Sequence, residues 1–310
     1  MSSLSTSEPR PLSEQLGRAW NAFWFVPTNA RGLAVIRIAT AALGLLLWAS
    51  YANDLQQWFG PEGVVSPSVI DSWRSSYGIS LFDSATTAAS LWALYAVGFV
   101  AFAALLVGIG TPFAAIAAAV LWVSLLHRGP MLVQPADDLL VILLWCLVIG
   151  RSGDAISLDA RLRAIRKLPE AGPSVRNRLA LSLLGVHASG IAVAAVLSQL
   201  KGDVWWDGTA AWWLVSGRDQ AAGTLMAALA ESDYLTNFVT HAITLFEIVF
   251  AAGVWVAGLR GFVVTMGLFG WPLIGLLSGD LLWGCGMATL GLAWAPPAWF
   301  AGRPALFAGR

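Results

Sequence analysis

Apolar residues fall along this chain in long unbroken runs rather than in the every-third-or-fourth pattern of a soluble amphipathic helix. Eight runs stand out, over about 32–51, 88–108, 111–127, 137–150, 179–200, 238–258, 262–278 and 281–296. Most are roughly 17 to 22 residues long, which as α-helix crosses a hydrocarbon core of about 30 Å. The fourth is shorter and extends back toward Val133. Gly108, Gly110 and Pro112 separate the second run from the third, and Pro296 and Pro297 close the last. The pattern predicts an all-α, polytopic integral membrane bundle of about eight transmembrane helices. It divides into an N-terminal segment 1–31, a transmembrane domain 32–300 and a tail 301–310.

Composition agrees. Of 310 residues, 57% are hydrophobic and 12% charged, against about 25% charged in ordinary soluble domains. A soluble core of this size cannot hide so much apolar surface, and lipid is the natural solvent for the rest. The formal net charge is zero and the pI is about 6.8, with no basic stripe of the kind nucleic acid requires. Cys146 and Cys285 both lie in apolar runs, so packing is their expected role. Residues 1–31 hold no apolar stretch followed by a small-residue cleavage site, so no secretory signal peptide is expected and the first span directs insertion.

Charge sets the orientation. Between 151 and 178 stand Arg151, Arg161, Arg163, Arg166, Lys167, Arg176 and Arg178 against Asp154, Asp159 and Glu170, which predicts a cytoplasmic loop. The loop 52–87 carries Asp54, Glu62, Asp71 and Asp83 against Arg74 alone. Alternation through eight spans then places Arg10, Arg18, Arg31, Arg260, Arg303 and Arg310 inside. The expectation is a multi-pass plasma-membrane protein with both termini cytoplasmic.

Few ionisable residues fall within the spans, and each costs about 2.5–3.5 kcal/mol on insertion scales. Arg37 and Glu247 are the deepest. One reading makes them a buried latch, with Glu247 the first choice of partner for Arg37 and Asp138 the second. The other has them line a polar cavity that holds a headgroup or relays a proton. Asp137 and Asp138 suit a helix start, where the macrodipole favours acids. His127, His187 and His241 lie on different spans, so no metal site is expected, and no nucleophile elbow or phosphate loop appears. Trp205, Trp206, Trp212 and Trp213 read either as an interfacial belt or as a lid over an outward-facing pocket. Residues 215–230 suit a re-entrant or surface-lying helix.

Four segments carry a family resemblance. They are Arg31 to Leu47 with Arg37; Trp58-Phe59-Gly60-Pro61-Glu62-Gly63-Val64 followed by Ser80-Leu81; and His127-Arg128, Asp138-Leu139-Leu140 and Ile156-Ser157-Leu158-Asp159. The fourth runs from Gln199-Leu200-Lys201-Gly202 through Trp205-Trp206-Asp207-Gly208-Thr209, with Glu247 following. In this order they resemble the horizontally transferred transmembrane domain family, which includes vitamin K-dependent gamma-carboxylase. In the carboxylase the resemblance implies oxidation of a reduced quinone to its epoxide, started by a lysine base. Gln199 stands at that lysine's position, Lys201 lies two residues on, and Ala136 or Asp137 replaces a histidine near the fourth span. The chain also ends soon after the eighth span, without a large lumenal region for carboxylation substrates. An amide has no titratable amine to act as base.

The resemblance therefore implies a bacterial-type membrane protein with a cavity for a lipid-like or quinone-like ligand, or for a membrane protein partner, and without classical carboxylase activity. The polar cluster expected around that cavity is Arg37, Asp138, Gln199, His187 and Trp205. The alternative is a quinol-oxidising or peptide-modifying enzyme, with a reduced quinone as cofactor and Lys201 or Glu247 as the catalytic group.

Overall fold

In lipid a chain segment must satisfy its backbone polar groups internally, so uncharged runs of span length become helices. A computed structural model describes residues 11–74, 78–216 and 224–301. Its nine principal helices are α1 (Leu12–Phe25), α2 (Arg31–Ser50), α3 (Ala88–Val107), α4 (Thr111–Arg128), α5 (Pro135–Ile149), α6 (Val175–Gln199), α7 (Asp233–Gly253), α8 (Arg260–Ser278) and α9 (Leu281–Gly291). Among the described residues the β-type pairing is a single isolated bridge between Thr28 and Ser174. The chain is a polytopic all-α membrane bundle. Helices α2, α3, α4, α6, α7 and α8 are long and apolar enough to cross a membrane. Helices α5 and α9 occupy the fourth and eighth runs but are shorter, with 15 and 11 residues, and a 3₁₀ turn over Leu292–Trp294 extends α9.

The boundaries have local causes. At the start of α3 the Thr87 hydroxyl accepts from the Ser90 N–H while Ser90 Oγ accepts from the Thr87 N–H, a reciprocal cap. The helix stops at Gly108, whose φ of +76° is left-handed and suits glycine. Helix α7 begins and ends about five residues earlier than the apolar run, because Ser232 caps it by accepting from the Leu235 N–H at 3.3 Å. Helix α1, which the apolar runs do not announce, buries none of its residues fully and packs on α6. Of the 215–230 stretch, 217–223 lie outside the described residues, and the flanks are short helices, Ala210–Ser216 and Leu225–Glu231.

Packing is tightest where side chains are smallest or flattest. At the α8–α9 hairpin a Cβ on Gly275 would stand 3.0 Å from the Gly284 Cα, so only glycine lets the backbones approach. Trp48 stacks on Tyr95 with centroids 5.1 Å apart and donates its Nε1–H to the Tyr95 carbonyl at 3.0 Å, and Phe102 and Trp122 fill in around them. Phe113, Phe269 and Val100 point outward from their spans, as a lipid solvent permits.

The chain turns divide the bundle into two ends. One gathers 28–31, 108–111, 150–178, 254–260 and 292–301, tied together by the Thr28–Ser174 bridge, by Asp159 on Thr111, and by Arg31 reaching the Phe300 carbonyl. This is the basic end, and it holds the arginine-rich loop. The other, acidic end gathers 51–74, 78–87, 127–137, 200–216 and 278–281.

Candidate functional site

The deepest cation is not in the predicted ion pair. Arg37 is fully buried, donating Nη1–H to the Ser152 carbonyl at 2.9 Å and Nη2–H to the Ile156 carbonyl at 2.6 Å. Neither Glu247 nor Asp138 forms a salt bridge with it. The correction has a simple origin. Arg37 lies six residues into α2, about 9 Å from the basic end, where the 152–159 loop folds back over it. A guanidinium has five donors and is served by carbonyls as well as by carboxylates. Ile156, whose carbonyl Arg37 binds, has φ +45°, a left-handed conformation costly for a β-branched residue.

Glu247 has a different partner. Gln199 Nε2 donates to Glu247 Oε2 at 2.6 Å, and the Thr244 hydroxyl donates to Gln199 Oε1 at 2.7 Å. Gln199 and Glu247 are both buried, so the pair pins the end of α6 to α7. The other predicted members are scattered. Lys201 lies beyond the end of α6 and is exposed. Trp205 is half-buried against the core. His187 Nδ1 is 2.8 Å from the Leu183 carbonyl of its own helix. Asp138 is exposed, while Asp137 beside it is buried and receives the Gln134 N–H at 2.7 Å, as a helix-start acid does. The polar cluster expected around Arg37 therefore resolves into separate contacts at different levels of the bundle.

Several motif residues act as joints. Arg128 donates to the Phe59 and Gly60 carbonyls at 3.2 and 3.4 Å and approaches Asp83, which Arg74 grips with both Nη groups at 2.6 and 3.0 Å. Ser80 Oγ donates to the Ser124 carbonyl at 2.5 Å. At the basic end the Asp159 carboxylate accepts the N–H groups of Gly110 and Thr111 at 2.9 and 2.8 Å and the Thr111 hydroxyl at 2.8 Å, closing the first turn of α4. Burial opposes its ionisation. The Thr111 and Gly110 bonds and the nearby Arg37 charge outweigh that and hold the Asp159 carboxyl below the ordinary carboxylate range.

A depressed folded value means that the carboxylate contributes stability above the unfolded value of about 3.9 and loses it as pH falls through the lower folded value. Asp159→Asn is therefore expected to lower the thermal midpoint at pH 7, with the gap to the parent narrowing below about pH 4. A gap that is independent of pH would remove the carboxylate from this joint.

A cavity of about 440 Å³ opens at the basic end among α2, α6, α8 and the segment after α9. Arg31, Arg178 and Arg260 line it, and among the described residues no carboxylate does. Each arginine is anchored by one bond to a carbonyl: Arg178 Nε to Phe23 at 2.7 Å, Arg260 Nε to Val254 at 2.9 Å, and Arg31 Nη1 to Phe300 at 3.4 Å. Arg178 sits over the Phe23 ring and Arg260 over Trp294, at 5.8 and 5.2 Å from the centroids. The Nη groups of Arg178 and Arg260 have no hydrogen-bond partner among the described residues. Arg178 and Arg260 are close enough to repel one another.

Phe23 also lines a second cavity, an apolar groove of about 740 Å³ between α1 and α6 walled by Leu16, Trp20, Val186 and Trp255. A cationic pocket thus adjoins an apolar groove through one shared ring. Charge counting predicted these arginines on one side of the membrane but not their convergence, because each opens or nears the start of a different helix. No family model matches the chain, and neither the curated proteins nor the solved structures provide a match.

Proposed function

We propose that the protein is a multi-pass plasma-membrane protein, its basic end cytoplasmic, that holds an anionic amphiphile of the inner leaflet. The headgroup sits among Arg31, Arg178 and Arg260 and the acyl chain lies along the α1–α6 groove. The observation that carries this reading is the three-arginine pocket, lined by no carboxylate among the described residues and sharing the Phe23 ring with an apolar groove. Basic pockets between spans on the cytoplasmic side suit phosphorylated lipid headgroups, and a guanidinium matches phosphate oxygens in bidentate geometry. A quinone-like occupant gains less, because a neutral ring leaves three cations uncompensated. In this reading the carboxylase-like resemblance reflects a shared helical scaffold, and the chain lacks the carboxylase's base. Gln199 spends its amide on Glu247 and Thr244, and neither Gln199 nor Glu247 lines the cavities at the two ends.

A basic residue near an anionic surface contributes about 1 kcal/mol, so three together amount to about 3 kcal/mol, on the order of a hundredfold preference. Native mass spectrometry of the purified protein with mixed phosphatidylglycerol and phosphatidylcholine is expected to retain phosphatidylglycerol selectively. The Arg178→Gln, Arg260→Gln double variant should lose most of that selectivity. Equal retention of the two lipids by the parent protein would overturn the reading.

A further inference from the structure

The acidic end holds a third cavity, of about 530 Å³, between the end of α2, the start of α5 and the α8–α9 turn. Three carboxylates line it, those of Asp54, Asp137 and Asp280, together with Tyr51 and Trp58. Among the described residues no lysine, arginine or histidine does. Asp137 is 1% exposed. Its Oδ2 accepts the Gln134 N–H at 2.7 Å and the Tyr51 hydroxyl at 3.2 Å, while its Oδ1 is buried with no hydrogen-bond partner among the described residues. A buried oxygen of this kind is costly to leave unpaired, and native structures seldom do so without a reason.

The charge balance points the same way. Asp280 uses only Oδ1, as acceptor of the Trp283 N–H at 2.9 Å, in capping α9, and it lies close enough to Asp137 to repel it. Asp54 makes no side-chain cap at the short helix Leu55–Phe59 that follows it. Carboxylates that crowd one cavity without a counter-charge favour a cationic occupant. No group of three or more histidine, cysteine, aspartate or glutamate residues is arranged to hold a metal ion among the described residues. The aromatic rings of Tyr51 and Trp58 suit an organic cation, which gains from ring faces as well as from carboxylate oxygens.

We propose that this cavity binds an organic primary ammonium group, which pairs with the carboxylates of Asp137, Asp280 and Asp54, with the rings of Trp58 and Tyr51 beside its carbon atoms. The site lies at the opposite end of the bundle from the arginine pocket and is independent of it. The same chemistry is offered by a soluble amine and by the ethanolamine headgroup of a lipid in the outer leaflet.

The test uses the full chain in nanodiscs of phosphatidylglycerol, which contain no nitrogen base. Ethanolamine is titrated calorimetrically, and in a parallel sample phosphatidylethanolamine is added and its retention is read by native mass spectrometry. Saturable binding of free ethanolamine assigns a soluble amine, and binding only of the lipid-borne amine assigns a headgroup. Either supports the proposal, and failure of both overturns it. Asp137→Asn should weaken binding at least about tenfold, as expected for loss of a charge-assisted bond, whereas Asp203→Asn, an exposed acid of the same end that does not line the cavity, should leave it unchanged. Should Asp137→Asn fail to fold, Asp280→Asn reads the same cavity, with weaker binding again expected. Unchanged binding in the folded variant that is read, or choline binding as tightly as ethanolamine despite having no N–H, overturns the assignment of Asp137.

Discussion

Arg37→Met is expected to cost about 2–5 kcal/mol of stability, read as a lower thermal midpoint and a smaller folded yield in detergent. The substitution strands the Ser152 carbonyl in a buried position and takes the donor from the part-buried Ile156 carbonyl. Ile156 is also the residue of this loop that stands in a left-handed conformation. Arg37→Lys should rescue little, because one ammonium on a flexible stem does not span two carbonyls that a rigid fork reaches together. A double-mutant cycle with Glu247→Gln separates this joint from the ion pair that sequence reasoning favours. The two contacts lie apart and share no partner, so their effects should add to within about 0.5 kcal/mol. A coupling well above that would restore the Arg37–Glu247 pair.

The helices were legible because lipid leaves the backbone so little choice. A run of apolar residues of span length becomes a helix wherever it stands, and all eight runs are helical in the structure. What the runs conceal is which way each polar side chain turns. Asp137 and Asp138 are neighbours in sequence, but an α-helix rotates about 100° per residue. One is therefore sealed against Tyr51 while the other faces outward. Both stand in the first turn of α5, as acids at a helix start do, but the sequence does not say which of them is buried.

Arg37 shows a second limit. A search for its partner among acids looks only at side chains, yet the groups that bind it are carbonyls of a loop that no residue type announces. The joint is more visible from its other components. Gly108, Thr111, Ser157 and Asp159 are a glycine at a helix end, a threonine that opens the next helix, and two side chains that accept helix-start N–H groups, the chemistry through which a short loop fastens to two helices. The motif residues behind the family resemblance include several of this kind. Asp159, Arg128 and Ser80 hold segments in place and touch none of the three cavities, so a match built on them bears on scaffold before it bears on chemistry. The arginine pocket was half legible: charge asymmetry assigned Arg31, Arg178 and Arg260 to one end, and only packing brought them to one wall.

The Gln199–Glu247 pair gives the other large effect, and its sign depends on how many partners are removed. Gln199→Leu leaves a buried carboxyl without its 2.6 Å donor and takes the 2.7 Å acceptor from the Thr244 hydroxyl, which keeps the Thr240 carbonyl at 3.4 Å. Stranding such a group costs about 2–4 kcal/mol. Glu247→Gln keeps a polar partner of the same shape and should cost less. Replacing both, Gln199→Leu with Glu247→Met, removes donor and acceptor together and should recover most of the loss, since an apolar pair of similar volume needs no partner in the core. Thermal unfolding of the three variants checks this ordering. The double variant also separates packing from chemistry. If the pair serves only to fasten α6 to α7, the folded double variant retains anionic lipid as the parent does, and neither protein forms epoxide from a reduced naphthoquinone with oxygen and bicarbonate. Epoxide formed by the parent and lost in a stable double variant would instead make Glu247 part of a reaction and overturn the reading of the pair as a fastening.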